Sequence, residues 1–204
     1  MEKEKYIEDL KEIRQIMNQS SRFVSLSGMS GISIGIIGLA GAYIAYTMGY
    51  WNNELATYNP IDSGTKSIGS LPITGFITLI TAIISGIFFT YRKTSKAGKR
   101  IWTPQTKRLL TEFAIPLLSG GLTLFILASK GLPGLILPLS MMFYGLGLIN
   151  AGKHTLKAIR HLGILEIALG ILALYFISAS LILWTIGFGF LHIIYGIIIP
   201  MKRS

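Results

Sequence analysis

Cysteine is absent from this 204-residue chain, and acids are scarce: nine Asp and Glu stand against 19 Lys and Arg. Without cysteine there is no disulfide, no thiol nucleophile and no thiolate metal site. That absence is compatible with either side of a membrane. No glycine-rich phosphate loop, no Ser-His-Asp set and no paired carboxylates close in sequence are present. No catalytic residue is therefore assigned, and an enzyme is not expected. His154 and His161 are seven apart in a basic stretch. That is too far for an i, i+4 metal pair, and the positive surroundings oppose a cation. Neither a metal nor a cofactor is expected.

Charge of either sign is sparse. Only 14% of residues are charged, against roughly 25% in an average soluble domain. Hydrophobic residues make up 51% of the chain and come in long runs rather than alternating with polar ones. Runs of about 18 or more apolar residues mark transmembrane helices. The net charge of +10 does not argue for nucleic acid, because the bases sit in short loops between apolar runs. The first 20 residues are polar and charged, so no cleavable signal is expected there.

The fold class expected is all-α: a polytopic membrane protein of six transmembrane helices arranged as three hairpin repeats, plus an N-terminal amphipathic helix. Residues 1–22 are the cytoplasmic amphipathic helix and 23–204 the membrane domain. Tyr6, Leu10, Ile13 and Met17 make one apolar stripe. Five acids and five bases balance around it (Arg22 included), whereas an anionic-lipid anchor carries an excess of base. Docking on protein is favoured over lying on the membrane. The spans fall at about 23–46, 73–91, 109–128, 133–151, 162–177 and 180–200. The fifth is short and is expected to borrow a turn from the loop before it. Thr103-Pro104 reads as a helix N-cap followed by proline at the first helical position, and Pro116 predicts a kink.

Basic residues decide the orientation. Of 19 Lys and Arg, Lys66 and Lys130 lie in the odd-numbered loops; the other 17 lie in the termini and the even-numbered loops. The positive-inside rule then places both termini in the cytoplasm of a cell with an inner membrane.

Small residues line the spans. Gly31-x-x-x-Gly35 permits close approach of another backbone, with packing inside the molecule favoured over a dimer face. Gly38, Gly121 and Gly170 align without gaps in the odd spans. Gly86, Gly145 and Gly196 each stand a short way before a basic end in the even spans, the last two preceded by Tyr144 and Tyr195. Three hairpins of roughly 50 residues follow, a candidate triplication.

Over Leu117 to Arg203, through Gly121, Gly145, Gly170 and Gly196, the pattern resembles the HdeD-like small acid-resistance membrane proteins. The N-terminal helix and the long first outer loop depart from that family. Ser20 to Gly28 also resembles the start of uncharacterised small bacterial membrane proteins. The first resemblance implies a role in envelope stress without a defined chemical activity.

Ionisable residues inside a membrane are costly and are functional candidates by default. They are Glu112, Glu166 and His192. Glu112 follows Arg108 by four residues, and an interfacial salt bridge is favoured over a transport role. Glu166 lies about a turn past the basic loop. His192 is expected roughly two turns deeper, with Tyr195 closer to the level of Glu166 and Asn150 as a candidate fourth member. Such a group can relay protons, bind a polar ligand, or be a satisfied polar patch between helices.

The leading expectation is a non-enzymatic inner-membrane protein acting in envelope stress or regulation by binding a partner protein or lipid. The alternative is a small transporter or channel for protons or a small solute, using Glu166 and His192. The lipid bilayer is a partner of either. Anionic lipid at the cytoplasmic face, a protein on residues 1–19 and a second copy of the chain are further candidates; nucleic acid is not.

Overall fold

Long apolar runs form helices here because lipid offers no hydrogen bonds, so each span must satisfy its own backbone. The computed structural model describes residues 6–7, 9–11, 27–50, 70–98, 101–153 and 155–201, and among them every regular element is helical. Six helices are long and apolar enough to cross a membrane: Gly28–Met48, Ile73–Lys96, Pro104–Ser129, Pro133–Ala151, Lys157–Tyr175 and Ile177–Ile198. The chain is an all-α, multi-pass membrane protein.

Several helices outrun their apolar cores. The second extends over Ser70–Lys96 and the third begins at Pro104 rather than at 109. The fifth begins at Lys157 rather than at 162. Helix continues past the lipid because long basic side chains bury their stems and keep their charges in water. Thr103 caps the third span, its hydroxyl accepting from the Thr106 backbone N–H at 3.2 Å, with Pro104 behind it. Gly131 ends that span in the left-handed region at φ 73°. The N–H of Leu132 reaches back to the Leu127 carbonyl at 2.9 Å, which closes the helix in a Schellman turn. At the N-terminus, the described stripe residues Tyr6 and Leu10 are exposed rather than docked on the bundle; Ile13 and Met17 lie outside the described residues.

Glycine decides which spans touch most closely. The first and sixth spans meet backbone to backbone. A Cβ on Gly31 would lie 2.9 Å from the Gly196 Cα, one on Gly35 2.6 Å from the Gly189 carbonyl, and one on Gly38 2.6 Å from the Phe188 carbonyl. The fourth and fifth spans meet the same way. A Cβ on Gly145 would come 2.6 Å from the Gly163 carbonyl, and one on Gly170 2.9 Å from the Pro138 carbonyl. The second span flanks the first, where Ser85 Oγ donates to Ser33 Oγ at 2.9 Å and Gly86 faces Ile34. The third flanks the fourth, where Gly120 accommodates the Phe143 ring.

Two of the expected packing roles change. Gly121 meets nothing within 4 Å; its neighbour Gly120 is the buried glycine. The two are about 100° apart on a helix, so these adjacent glycines face different ways, Gly120 into a helix contact and Gly121 outward. The hairpin is also not the unit of tightest packing. The fifth and sixth spans, joined by a short turn, touch less than the fifth does with the fourth or the sixth with the first. The six spans sort into two three-helix bodies: the first, second and sixth, and the third, fourth and fifth. In lipid there is no hydrophobic drive between helices, so the glycine-rich faces that allow close contact set this grouping.

Candidate functional site

Glu166 sits at the centre of the Lys157–Tyr175 helix, nine residues from either end, and is 0% exposed. Both of its carboxyl oxygens lack a hydrogen-bond partner. Leaving a buried polar group unpaired costs about 1–3 kcal/mol, and more for a charge. Across the seam between the two bodies stands His192, 3% exposed, with Nδ1 3.6 Å from Glu166 Oε1. The two are therefore level, not two turns apart. The early start of the fifth helix puts Glu166 at mid-helix rather than near one end. The sixth span meanwhile runs as a π-helix over Thr185–Leu191, just before His192. The wider π turn resets the facing of every residue after it, and such segments are frequent at functional sites.

The tautomer of His192 follows from its partners. Nδ1 lies 2.9 Å from the Gly187 carbonyl, which can only accept, so Nδ1 carries the hydrogen. Nε2 then accepts from the Tyr144 hydroxyl at 2.8 Å. Gly187 also makes room for the acid: a Cβ there would stand 2.6 Å from Glu166 Oε2. The result is a line from the fourth span through the sixth to the fifth: Tyr144 hydroxyl, imidazole, carboxyl. The imidazole N–H faces two acceptors, a carbonyl in contact and a carboxyl less than an ångström further away. A small shift of the ring exchanges one for the other.

Aromatic rings cover the line on one side. Phe188 stacks on His192 at 5.7 Å and 7°, Tyr144 packs on Phe188 at 4.8 Å, and Trp184 packs on Phe188 at 4.8 Å. Phe113 from the third span meets Tyr144 edge-on at 5.9 Å. Trp184 Nε1 donates to Ser140 Oγ at 3.2 Å, a further polar contact across the seam.

Glu166 and His192 are thus brought together, and the other sequence candidates are not. Tyr195 is half-buried and makes no hydrogen bond to either. It stands about one turn further along the same span than His192. Its counterpart in the aligned hairpin, Tyr144, fills the role instead. Asn150 makes no hydrogen bond to the group. Glu112 lines a surface groove with Lys107, Arg108 and Thr111 and forms no ion pair with Arg108. Long side chains near water gain little by holding such a pair. The one signal for Tyr144 was its place beside Gly145, because a residue next to a helix crossing is carried into the core. His154 lies outside the described residues.

Loss of the Tyr144 hydroxyl isolates the imidazole. Tyr144→Phe leaves Nε2 buried without a donor and is expected to cost about 1–3 kcal/mol. Thermal unfolding in detergent measures this, with Tyr195→Phe as the comparison; an equal loss in both variants would contradict the assignment.

No protein family, curated protein or solved structure matches this chain.

Proposed function

We propose that this chain is a small proton-linked transporter of the inner membrane, with both termini in the cytoplasm and Glu166 as the group that takes up and releases the coupling proton. The observation that carries this reading is the unpartnered carboxyl of Glu166 at mid-membrane, on the seam between two bodies. A lone buried charge is expensive, so a bound proton or a bound cation changes the energy of the seam strongly. Membrane transporters commonly bind near the midplane and rock one bundle against another around that site. The glycine contacts are concentrated within the bodies. The seam between them holds the polar contacts of Glu166, His192, Tyr144, Ser140 and Trp184. Polar contacts of this kind re-form more readily than interlocked backbones.

Orientation rests on the 17 basic residues assigned to one side. An origin of the fold in three copied hairpins is part of the same proposal. It is supported by the matched packing of Gly38 with Gly170 and of Gly145 with Gly196, while Gly121 departs from it. The resemblance to the HdeD-like proteins extends the proposal to envelope stress as the setting.

A second reading is favoured by the exposed Tyr6 and Leu10: residues 1–19 dock a partner protein, and the membrane domain regulates it.

Proteoliposomes with an internal pH dye separate the two. An imposed gradient is expected to drive proton flux in the wild type and to fail in Glu166→Gln. Deletion of residues 1–19 leaves that flux unchanged. Flux that survives in Glu166→Gln rejects the site; loss of flux on deleting residues 1–19 favours the second reading.

A further inference from the structure

Among the described residues no Lys or Arg pairs with the acid of the seam, and the residues that surround its neighbour His192 are aromatic. Trp184, Phe188 and His192 follow one another at i, i+4 and i+8 on the sixth span and form a ladder of ring faces. Successive ring centroids are 4.8 and 5.7 Å apart, and the ladder runs from the outer part of the span to the level of Glu166. Tyr144 packs against the ladder from the other body. Trp184, Phe188 and Tyr144 are each half-buried, whereas Glu166 and His192 are buried. The rings therefore lie nearer the outside of the molecule than the acid does.

Ring faces attract cations, most strongly where water is excluded, and Trp is the best of them. A carboxylate in the same dry place attracts them more strongly still. An inorganic ion that gives up its water needs several oxygen ligands in exchange. Here the nearby Gly187 carbonyl is already occupied by His192. An organic cation needs no such cage, since its own apolar body replaces the hydration shell.

Resting on the transport reading for its site, we propose that the seam takes a lipophilic organic cation, whose charge is received by Glu166 and whose apolar body lies on the faces of Trp184, Phe188 and Tyr144. Cation and proton then compete for one carboxyl, and the exchange of one for the other links the two movements. Phe188 sets specificity, since it touches Trp184, Tyr144 and His192 alike.

The test is equilibrium binding of radiolabelled tetraphenylphosphonium to the purified full-length protein in detergent, beside the proton-flux assay. Wild type is expected to bind it and Glu166→Gln to lose binding. Phe188→Leu, which keeps an apolar side chain but removes the ring face, is expected to weaken binding at least about tenfold. Phe188→Tyr retains it, and thermal unfolding of each variant checks that the fold survives. Binding that is unchanged in Glu166→Gln, or equal in Phe188→Leu and wild type, overturns the proposal. Glu166-dependent proton flux without phosphonium binding overturns the substrate class and leaves the transport reading standing. Glu166-dependent phosphonium binding with no proton flux even when phosphonium is supplied on the opposite side of the proteoliposome membrane overturns the transport reading and leaves the ligand class standing.

Discussion

Glu166→Met is expected to raise the thermal stability of the protein while abolishing proton flux. The native carboxyl is 0% exposed and neither of its oxygens has a hydrogen-bond partner. Such a group costs about 1–3 kcal/mol that an apolar side chain of similar length does not. Replacing buried charged groups with apolar ones is often neutral or stabilising by about 1–4 kcal/mol. Methionine is long and flexible enough to fill the space left by the acid between Gly187 and His192. For a chain of this length, each kcal/mol corresponds to roughly 2–4 °C in the unfolding midpoint. A rise of several degrees in detergent is the expected result. Glu166→Ala makes the contrast: it removes the cost but leaves a cavity, and should gain less or lose. A clear fall in the midpoint of Glu166→Met would mean that the carboxyl is held by partners and is structural. Stability given up at a buried acid is intelligible where function needs that acid.

Gly145→Ala is expected to destabilise the bundle markedly, and Gly121→Ala to leave it unchanged or slightly firmer. The two residues occupy comparable places in the sequence pattern and opposite places in the molecule. A methyl on Gly145 would lie 2.6 Å from the Gly163 carbonyl and 2.7 Å from Ile167 Cγ1. The carbonyl belongs to a helix backbone and cannot turn aside, so the fourth and fifth spans must separate. Overpacking of this kind costs about 1–3 kcal/mol. In lipid the lost contacts are not compensated by any hydrophobic drive. A methyl on Gly121 meets nothing within 4 Å. It offers the small gain, up to about 1 kcal/mol, that alanine has over glycine inside a helix. Thermal or denaturant unfolding of both variants in one detergent settles the comparison. A loss in Gly121→Ala as large as that in Gly145→Ala would return Gly121 to a helix interface.

The membrane-spanning architecture was legible because the signal is one-dimensional. A helix that crosses lipid must be about 20 apolar residues long, and any run of that length announces itself. Glu166 and His192 were legible for the same reason, as ionisable side chains inside apolar runs. Tyr144 was not, because a tyrosine among apolar residues looks the same whether its hydroxyl faces an imidazole or the lipid headgroups. Tyr195 carried the same local pattern, Tyr-Gly near a basic end, and lies outside the hydrogen-bonded group. Choosing between them requires the rotation of each helix about its axis. Here that rotation depends on the π-helical segment Thr185–Leu191, which no apolar pattern reveals.

By itself, then, the sequence determined six apolar helices, their approximate limits, the asymmetry of basic charge and three ionisable candidates, Glu112, Glu166 and His192, of which the last two come together. These follow from the price of exposing backbone or charge to lipid, which each segment meets alone. Only the tertiary structure decided that the closest contacts run between hairpins and group the spans into two bodies, that Gly120 and not Gly121 takes the close contact, and that Glu166 meets His192 and, through it, Tyr144. Those outcomes depend on which small-residue faces approach most closely. That is a property of pairs of helices, and no single span contains it.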